Sequence, residues 1–285
     1  FDTNTGRLLW RHEARDVSGS PSDPPKTSEE VGLAAPTPTT DGVRVYAMFG
    51  TGDLIACDLE GRRVWARNLG VPKNPYGHSS SPLAIRGRLI VQFDDDTGGR
   101  LLALDGATGR TIWETRRPVR PGWSTPVAVA QGGHIRIGVL AQPFFAVYEW
   151  SDGRELWRVG ELDAEIGASP AWADGRWYAG NDNTRFVAMD EADGRLLWET
   201  DEDLPDVASP LVWRGLVILA ASSGIVTARD AATGEKLWTQ EWEEGFYASP
   251  IAAGDAIYLV DRGGRARVVR ASRQFELIAE NPVGE

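Results

Sequence analysis

Residues 228–238 read Ala-Arg-Asp-Ala-Ala-Thr-Gly-Glu-Lys-Leu-Trp, and residues 103–113 read Ala-Leu-Asp-Gly-Ala-Thr-Gly-Arg-Thr-Ile-Trp. Close copies end at Trp10 and Trp198, and weaker ones at Trp157 and at Trp65, the last one residue short. The tryptophans are 55, 48, 44, 41 and 40 residues apart in chain order. A fixed period near forty residues marks a repeat architecture, in which each unit buries its faces against its neighbours. A second signal precedes each copy: Thr37-Pro38, Ser81-Pro82, Thr125-Pro126, Ser169-Pro170, Ser209-Pro210 and Ser249-Pro250.

Within one unit, residues 209–242, four short runs rich in Val, Ile, Leu and Trp are divided by Arg214-Gly215, Ser223-Gly224 and Thr233-Gly234. That is the pattern of a four-stranded antiparallel meander. Gly6, Gly109, Gly194 and Gly234 fall where a tight turn needs positive φ. Asp105 and Asp230 are placed to accept backbone N–H groups there. Trp10, Trp65, Trp113, Trp157, Trp198 and Trp238 offer large surfaces for docking one sheet on the next. The expected fold is all-β: one β-propeller domain over 1–285. Residues 1–16 are read as the outer strands of a truncated blade. Six full blades follow over 35–67, 80–116, 124–160, 168–201, 208–243 and 248–281. In the last, Arg270, Arg273, Gln274 and Ile278 replace the motif Asp, Thr, Gly and Trp.

Composition agrees with this reading. Glycine (32) and tryptophan (12) are abundant in 285 residues, as in folds of many short strands and tight turns. The net charge of −11 argues against nucleic acid as a partner. No apolar run is long enough to span a bilayer. Cys57 is the only cysteine, so no intrachain disulfide forms.

The repeat Ala-x-Asp-x-x-Thr-Gly-x-x-x-Trp resembles the tryptophan-docking motif of pyrroloquinoline-quinone (PQQ) type propellers. The layout is similar to that of bacterial PQQ-like repeat proteins related to the outer-membrane assembly lipoprotein BamB. The resemblance implies seven or eight blades in an intact protein, eight favoured, and so a fragment here. It also implies a periplasmic or otherwise extracytoplasmic site of action, and it leaves room for a lipid anchor ahead of Phe1. By resemblance the function is a non-enzymatic scaffold that binds a protein or peptide partner through a loop face. A PQQ-dependent dehydrogenase is the alternative, and a carbohydrate-binding propeller using Trp123, Trp150, Trp172 and Trp177 is a third. Related dehydrogenases hold PQQ and calcium beneath a vicinal disulfide, which a single cysteine cannot make. No cofactor is therefore expected, and no catalytic residue stands out.

Candidate sites lie in loops. Residues just before each Ser/Thr-Pro step are expected at a channel mouth: Tyr76, His78, Trp123, Glu165, Asp206, Phe246 and Tyr247. Such a mixed ring suits a peptide or small ligand, and equally suits a plug. Asp94 and Asp96 are weak metal candidates, because their spacing is not that of an EF-hand. Charge divides along the chain. Arg67, Lys73, Arg116, Arg117 and Arg120 lie in early loops, whereas Glu161, Asp163, Glu165, Asp201–Asp203, Asp206, Glu241, Glu243 and Glu244 lie in later ones.

Overall fold

The computed structural model describes residues 1–28 and 31–283. Among them are six four-stranded antiparallel sheets, each with its strands in sequence order, and no helix. The first blade is β1–β4 (Thr39–Thr40, Arg44–Met48, Asp53–Asp58, Arg63–Asn68) and the second β5–β8 (Leu83–Ile85, Arg88–Asp95, Gly98–Asp105, Thr111–Arg117). The third is β9–β12 (Val127–Gln131, His134–Ala141, Phe144–Glu149, Glu155–Val159) and the fourth β13–β16 (Ala171–Ala173, Arg176–Gly180, Phe186–Asp190, Leu196–Thr200). The fifth is β17–β20 (Leu211–Trp213, Leu216–Ala220, Ile225–Asp230, Lys236–Glu241) and the sixth β21–β24 (Ile251–Ala253, Ala256–Val260, Arg265–Arg270, Leu277–Pro282).

Residues 1–16 differ from the expected outer strands. They form the motif turn, with the Gly6 N–H donating to the Asp2 carbonyl at 2.9 Å, but no strand is paired there. The reason is physical: a strand exists only through a ladder partner, and none of the described residues supplies one. The chain also groups into two compact units rather than one. The first comprises Phe1–Ala128 with Glu149–Arg154, the second Val129–Tyr148 with Glu155–Glu285.

In the first unit, Tyr46, Met48, Leu54 and Ala56 of the first blade pack on Leu89, Val91, Phe93, Leu102 and Leu104 of the second. In the second unit, Val217 and Leu219 pack on Tyr178, Phe186 and Trp198, while Leu216, Ile218 and Ala220 pack on Ile257, Leu259 and Val269. Successive residues of β18 thus serve opposite neighbours. That explains why Leu216–Ala220 is a continuous apolar run, every residue buried, rather than an alternating one.

The joints are regular. Each tryptophan's indole N–H donates to a carbonyl in the outer turn of the following blade: Trp10 to Leu59, Trp65 to Gly106 and Trp113 to Trp150 in the first unit, at 2.8–2.9 Å. In the second unit Trp157 donates to Glu191, Trp198 to Ala231 and Trp238 to Ser272, at 3.0–3.2 Å. The same rings fill the space over the turn glycine. A Cβ added at Gly61, Gly109, Gly153, Gly194 or Gly234 would overlap the indole docked on it. Glycine is therefore required twice at these sites, for its positive φ and for the missing side chain. In all six blades a register shift between the third and fourth strands falls two residues before the turn, as between Ala228 and Arg229. A β-bulge there bends the strand into the turn that receives the indole.

The Ser/Thr-Pro steps form a second set of joints. The Thr37 N–H donates to the Ser81 hydroxyl and the Ser81 N–H to that of Thr125 (2.9 and 3.0 Å). In the second unit the Ser169 N–H donates to Ser209 and the Ser209 N–H to Ser249, both at 2.9 Å. A hydroxyl at this position satisfies a neighbouring N–H that would otherwise lie unpaired at the start of an inner strand.

Candidate functional site

Within each unit, the loop that enters a blade and the loop between its second and third strands lie at the same end of that blade's sheet. In the second unit the Trp242 N–H reaches the Gly224 carbonyl (3.0 Å), the Phe246 N–H that of Ala221 (3.1 Å) and the Arg262 N–H that of Gly245 (2.9 Å). Loops that are far apart in sequence are thereby held side by side, and polar side chains from successive blades meet.

In the first unit this end carries Tyr76, His78 and Trp123. Tyr76 is exposed and lies 5.2 Å from Trp123, ring centroid to centroid. Trp123 is fixed by its indole N–H to the Gly77 carbonyl at 3.0 Å. His78 does not line an open mouth. It is wholly buried, 5.6 Å from the Phe93 ring, with the Ser80 backbone beside it. Burial pushes its pKa down to about 4, because a charged imidazolium cannot be solvated there.

In the second unit the same end carries Glu165, Asp206, Phe246 and Tyr247. Phe246 is wholly buried against Trp242 at 5.8 Å and serves the core. Tyr247 is exposed, with Arg262 over its ring at 4.4 Å. Glu165 is exposed and Asp206 half-buried. The sequence reading omitted Asp182 and Asn181, which stand beside them. The Asp182 N–H donates to the Pro205 carbonyl at 2.9 Å, and the Asn181 amide meets the Glu165 carbonyl. The turn-forming run Asn181-Asp-Asn-Thr184 after a strand was the available signal.

The metal candidates serve another purpose. Asp94 is 1% exposed and accepts two hydrogen bonds from Arg117, which is equally buried, both at 2.8 Å; Gln92 adds a third at 2.7 Å. Asp95 turns instead to the Thr97 hydroxyl and N–H, and the Asp96 N–H is tied to the Lys73 carbonyl at 2.9 Å. Among the described residues no three His, Cys, Asp or Glu side chains converge as a metal site. Cys57 is buried in the first blade beside Ile55. A single buried cysteine cannot form a vicinal disulfide.

The early basic loops are also partly structural. Arg67 donates to the Gly109 carbonyl at 2.7 Å, and Arg117 is the buried partner of Asp94. A hollow of about 570 Å³ beside the β6–β7 hairpin is lined by Arg100, Arg116 and Arg117 together with Asp95 and Glu114, so its charges are mixed. Of the tryptophans considered for sugar stacking, Trp177 is wholly buried, Trp172 donates to Glu191 (3.0 Å) and Trp150 lies under Arg88 (4.5 Å).

By unit, the charge is lopsided. The first unit has 17 acidic and 17 basic residues; the second has 24 acidic and 13 basic, so the whole excess of 11 negative charges sits there.

Comparisons with known proteins agree with the fold. A family model described as Outer membrane protein assembly factor BamB matches residues 1–122 and 144–273. Proteins of that name from Moranella endobia and Salmonella typhimurium are 26% and 28% identical over 257 and 265 residues, covering 82% and 71% of this chain. The chain spans 64% and 66% of those relatives' lengths, just under two thirds. The crystal structure of BamB from Moraxella catarrhalis matches with a TM-score of 0.70 at 20% identity, over 88% of this chain and 74% of that one. The quinohemoprotein alcohol dehydrogenase from Comamonas testosteroni matches at 0.71 and 14%, over 85% and 58%. At these identities both structures speak to the fold alone. With six repeated blades, their indole joints and a family match over most of its length, this chain belongs to the BamB family of PQQ-type repeat β-propellers.

Proposed function

We propose that the chain is a non-enzymatic scaffold of outer-membrane protein assembly, acting outside the cytoplasm and binding a protein or peptide partner through its loop face. One observation carries this reading: the signature tryptophans, and the glycines they dock on, are engaged between blades. What remains for function is the loops, which display Tyr76 in the first unit and Tyr247 in the second, with no three His, Cys, Asp or Glu side chains converging as a metal site among the described residues. The relatives' printed role in assembly supports the same reading. We propose further that no quinone cofactor is bound, because the vicinal disulfide of related dehydrogenases needs two cysteines.

The test is site-specific photo-crosslinking in the periplasm of a bacterium expressing the protein. A crosslinker at position 247 should capture a component of outer-membrane assembly, whereas one at Asp193, on an outer turn, should not. Alcohol-dependent dye reduction after addition of PQQ and calcium would instead support the dehydrogenase reading and overturn this one.

A further inference from the structure

Two neighbouring rungs of the second blade's ladder lie close to the turn that joins β6 to β7. One is Asp94↔Gly99↔Arg117 and the other Phe93↔Arg100↔Arg116, each reading from β6 through β7 to β8. Adjacent rungs point to opposite faces of a sheet. On the first rung a carboxylate from β6 meets a guanidinium from β8, with both Asp94 oxygens 2.8 Å from Arg117. Gly99 stands between them, and a Cβ there would overlap the Asp94 carboxylate. The glycine thus leaves the path across the rung open.

The second rung has the arginine without the acid. Phe93 holds the β6 position, and Arg100 faces Arg116 directly across β7 and β8. Like charges placed opposite each other on adjacent strands repel. Arg100 is fixed where it stands: it donates to the Leu69 carbonyl at 2.8 Å, and its guanidinium lies 4.6 Å from the centre of the Phe93 ring. Arg116 is exposed. Among the described residues neither has a carboxylate at ion-pair distance. Both line the hollow of about 570 Å³ beside the hairpin, a volume in the range of small-ligand sites. Of the acids in that hollow, Asp95 is turned to the Thr97 N–H and hydroxyl. The other is Glu114, two residues before Arg116 on β8.

We propose that Arg100 and Arg116 form a docking site for a carboxylate in an acidic segment of a protein partner. That carboxylate takes the place beside them that Asp94 takes beside Arg117 on the opposite face. A guanidinium presents its N–H groups as a planar fork that matches a carboxylate. The inference rests on the scaffold reading and names the chemistry of its partner. The first unit carries equal numbers of acidic and basic residues, so the attraction is local to this pair. An anionic membrane or a nucleic acid would instead need a broad basic surface.

The test is calorimetric titration of the purified chain at low salt with acetylated, amidated hexa-glutamate, with hexa-serine as the control and inorganic phosphate as a separate arm. Arg116→Gln should weaken hexa-glutamate binding about fivefold. Arg110→Gln removes an exposed arginine just before the opposite end of β8 and should weaken it less than about twofold. Glu114→Gln should tighten binding about twofold, because it removes a like charge from the hollow. A gain of this kind cannot come from a damaged fold. No binding by the parent chain, equal losses in the two arginine variants, or weaker binding in Glu114→Gln would overturn the proposal. Phosphate that binds as tightly as hexa-glutamate, with the same response to the variants, would also overturn it and make the hollow a phosphate site. Crosslinking from position 247 separates the two readings. Capture there without hexa-glutamate binding leaves the scaffold reading standing and sinks this site; binding with the expected variant pattern but no capture sinks the scaffold reading alone.

Discussion

The first blade, in the first unit, and the sixth, in the second, each have one sheet face that no described blade of the same unit covers, and the two faces are treated differently. The first blade's face, bearing Ile55 and Cys57, lies under Val17, which is itself buried. The covering segment is fastened at several points. Trp10 rests on Gly61, the Ser20 hydroxyl donates to Asp53 at 2.7 Å, and the Gly50 N–H donates to the Leu33 carbonyl at 2.8 Å. The sixth blade's face has no such cover: Ile251 is 63% exposed, and its ladder partner Tyr258 is exposed too. Its ladder is nevertheless complete, from Ile251↔Tyr258 through Tyr258↔Val268 to Val268↔Ala279. The difference teaches that strand pairing and face burial are separable here. Irregular chain covers a face without adding a strand, and a sheet keeps its register with one face bare.

The largest effect that sharpens this comparison concerns the indole joints. Trp198, 8% exposed, is set between the fourth and fifth blades, and Trp198→Ala should cost about 3–5 kcal/mol of stability in urea unfolding. Trp10, half-buried in the irregular segment, should cost only about 1–2 kcal/mol on the same change, in proportion to the apolar area lost. Equal costs would mean that the covering segment is joined as firmly as a blade.

Acid should loosen the covered end first. The loop carrying His78 lies beneath the same segment: the Ser28 N–H donates to the Tyr76 carbonyl at 3.0 Å, and Gly77 abuts Thr27. The folded pKa of His78, about 4, lies below its ordinary value of 6.5, so protons bind the unfolded chain first. The stability His78 contributes is fully present above about pH 6.5 and is lost as pH falls toward 4. The loss should reach about 3 kcal/mol at most. In a pH series of unfolding curves, His78→Phe should flatten that slope; an unchanged slope would show that other groups set it.

The faces themselves can be probed with one charge each. Val17→Asp should cost about 2 kcal/mol, because it places a carboxylate against Ile55 and Cys57. Ile251→Asp should cost no more than about 0.5 kcal/mol, as expected of an exposed site. A large loss at Ile251 in thermal melts would show that the sixth face is covered in solution.

The smallest difference separates two glycines. Gly61 and Gly254 both have positive φ, but only Gly61 lies under an indole; Gly254 faces open space. Gly254→Ala should cost about 1 kcal/mol, for backbone strain alone. Gly61→Ala should cost roughly 1 kcal/mol more, for the overlap with Trp10.

Much of the architecture was legible in the chain because its joints are local. The Asp-to-Trp motif places a turn, a bulge and a docking ring within eleven residues, so each copy could be read alone. The shortened copy at Trp65 shows how tightly the turn is specified. With one residue fewer, the Gly61 N–H still bonds back to the Asp58 carbonyl at 3.0 Å, and the glycine still receives Trp10. The site was far less legible. His78 and Phe246 were read as mouth residues from their place before the Ser/Thr-Pro steps, yet both are buried. Position along a loop does not say which way a side chain turns. Asp94 had the composition of a metal ligand, and nothing near it in sequence announced that Arg117, 23 residues away, would neutralise it.

By itself the sequence determined the blade, its four strands, its turn glycines and the ring that closes each joint, because those depend on contacts at a fixed spacing along the chain. Only the tertiary structure decided what the loops do: that Asp94 is an internal ion pair, that Val17 covers a sheet face, and that the Asp182 N–H meets the Pro205 carbonyl. These meetings depend on which distant loops the stacked blades bring together, and no period in the sequence encodes them.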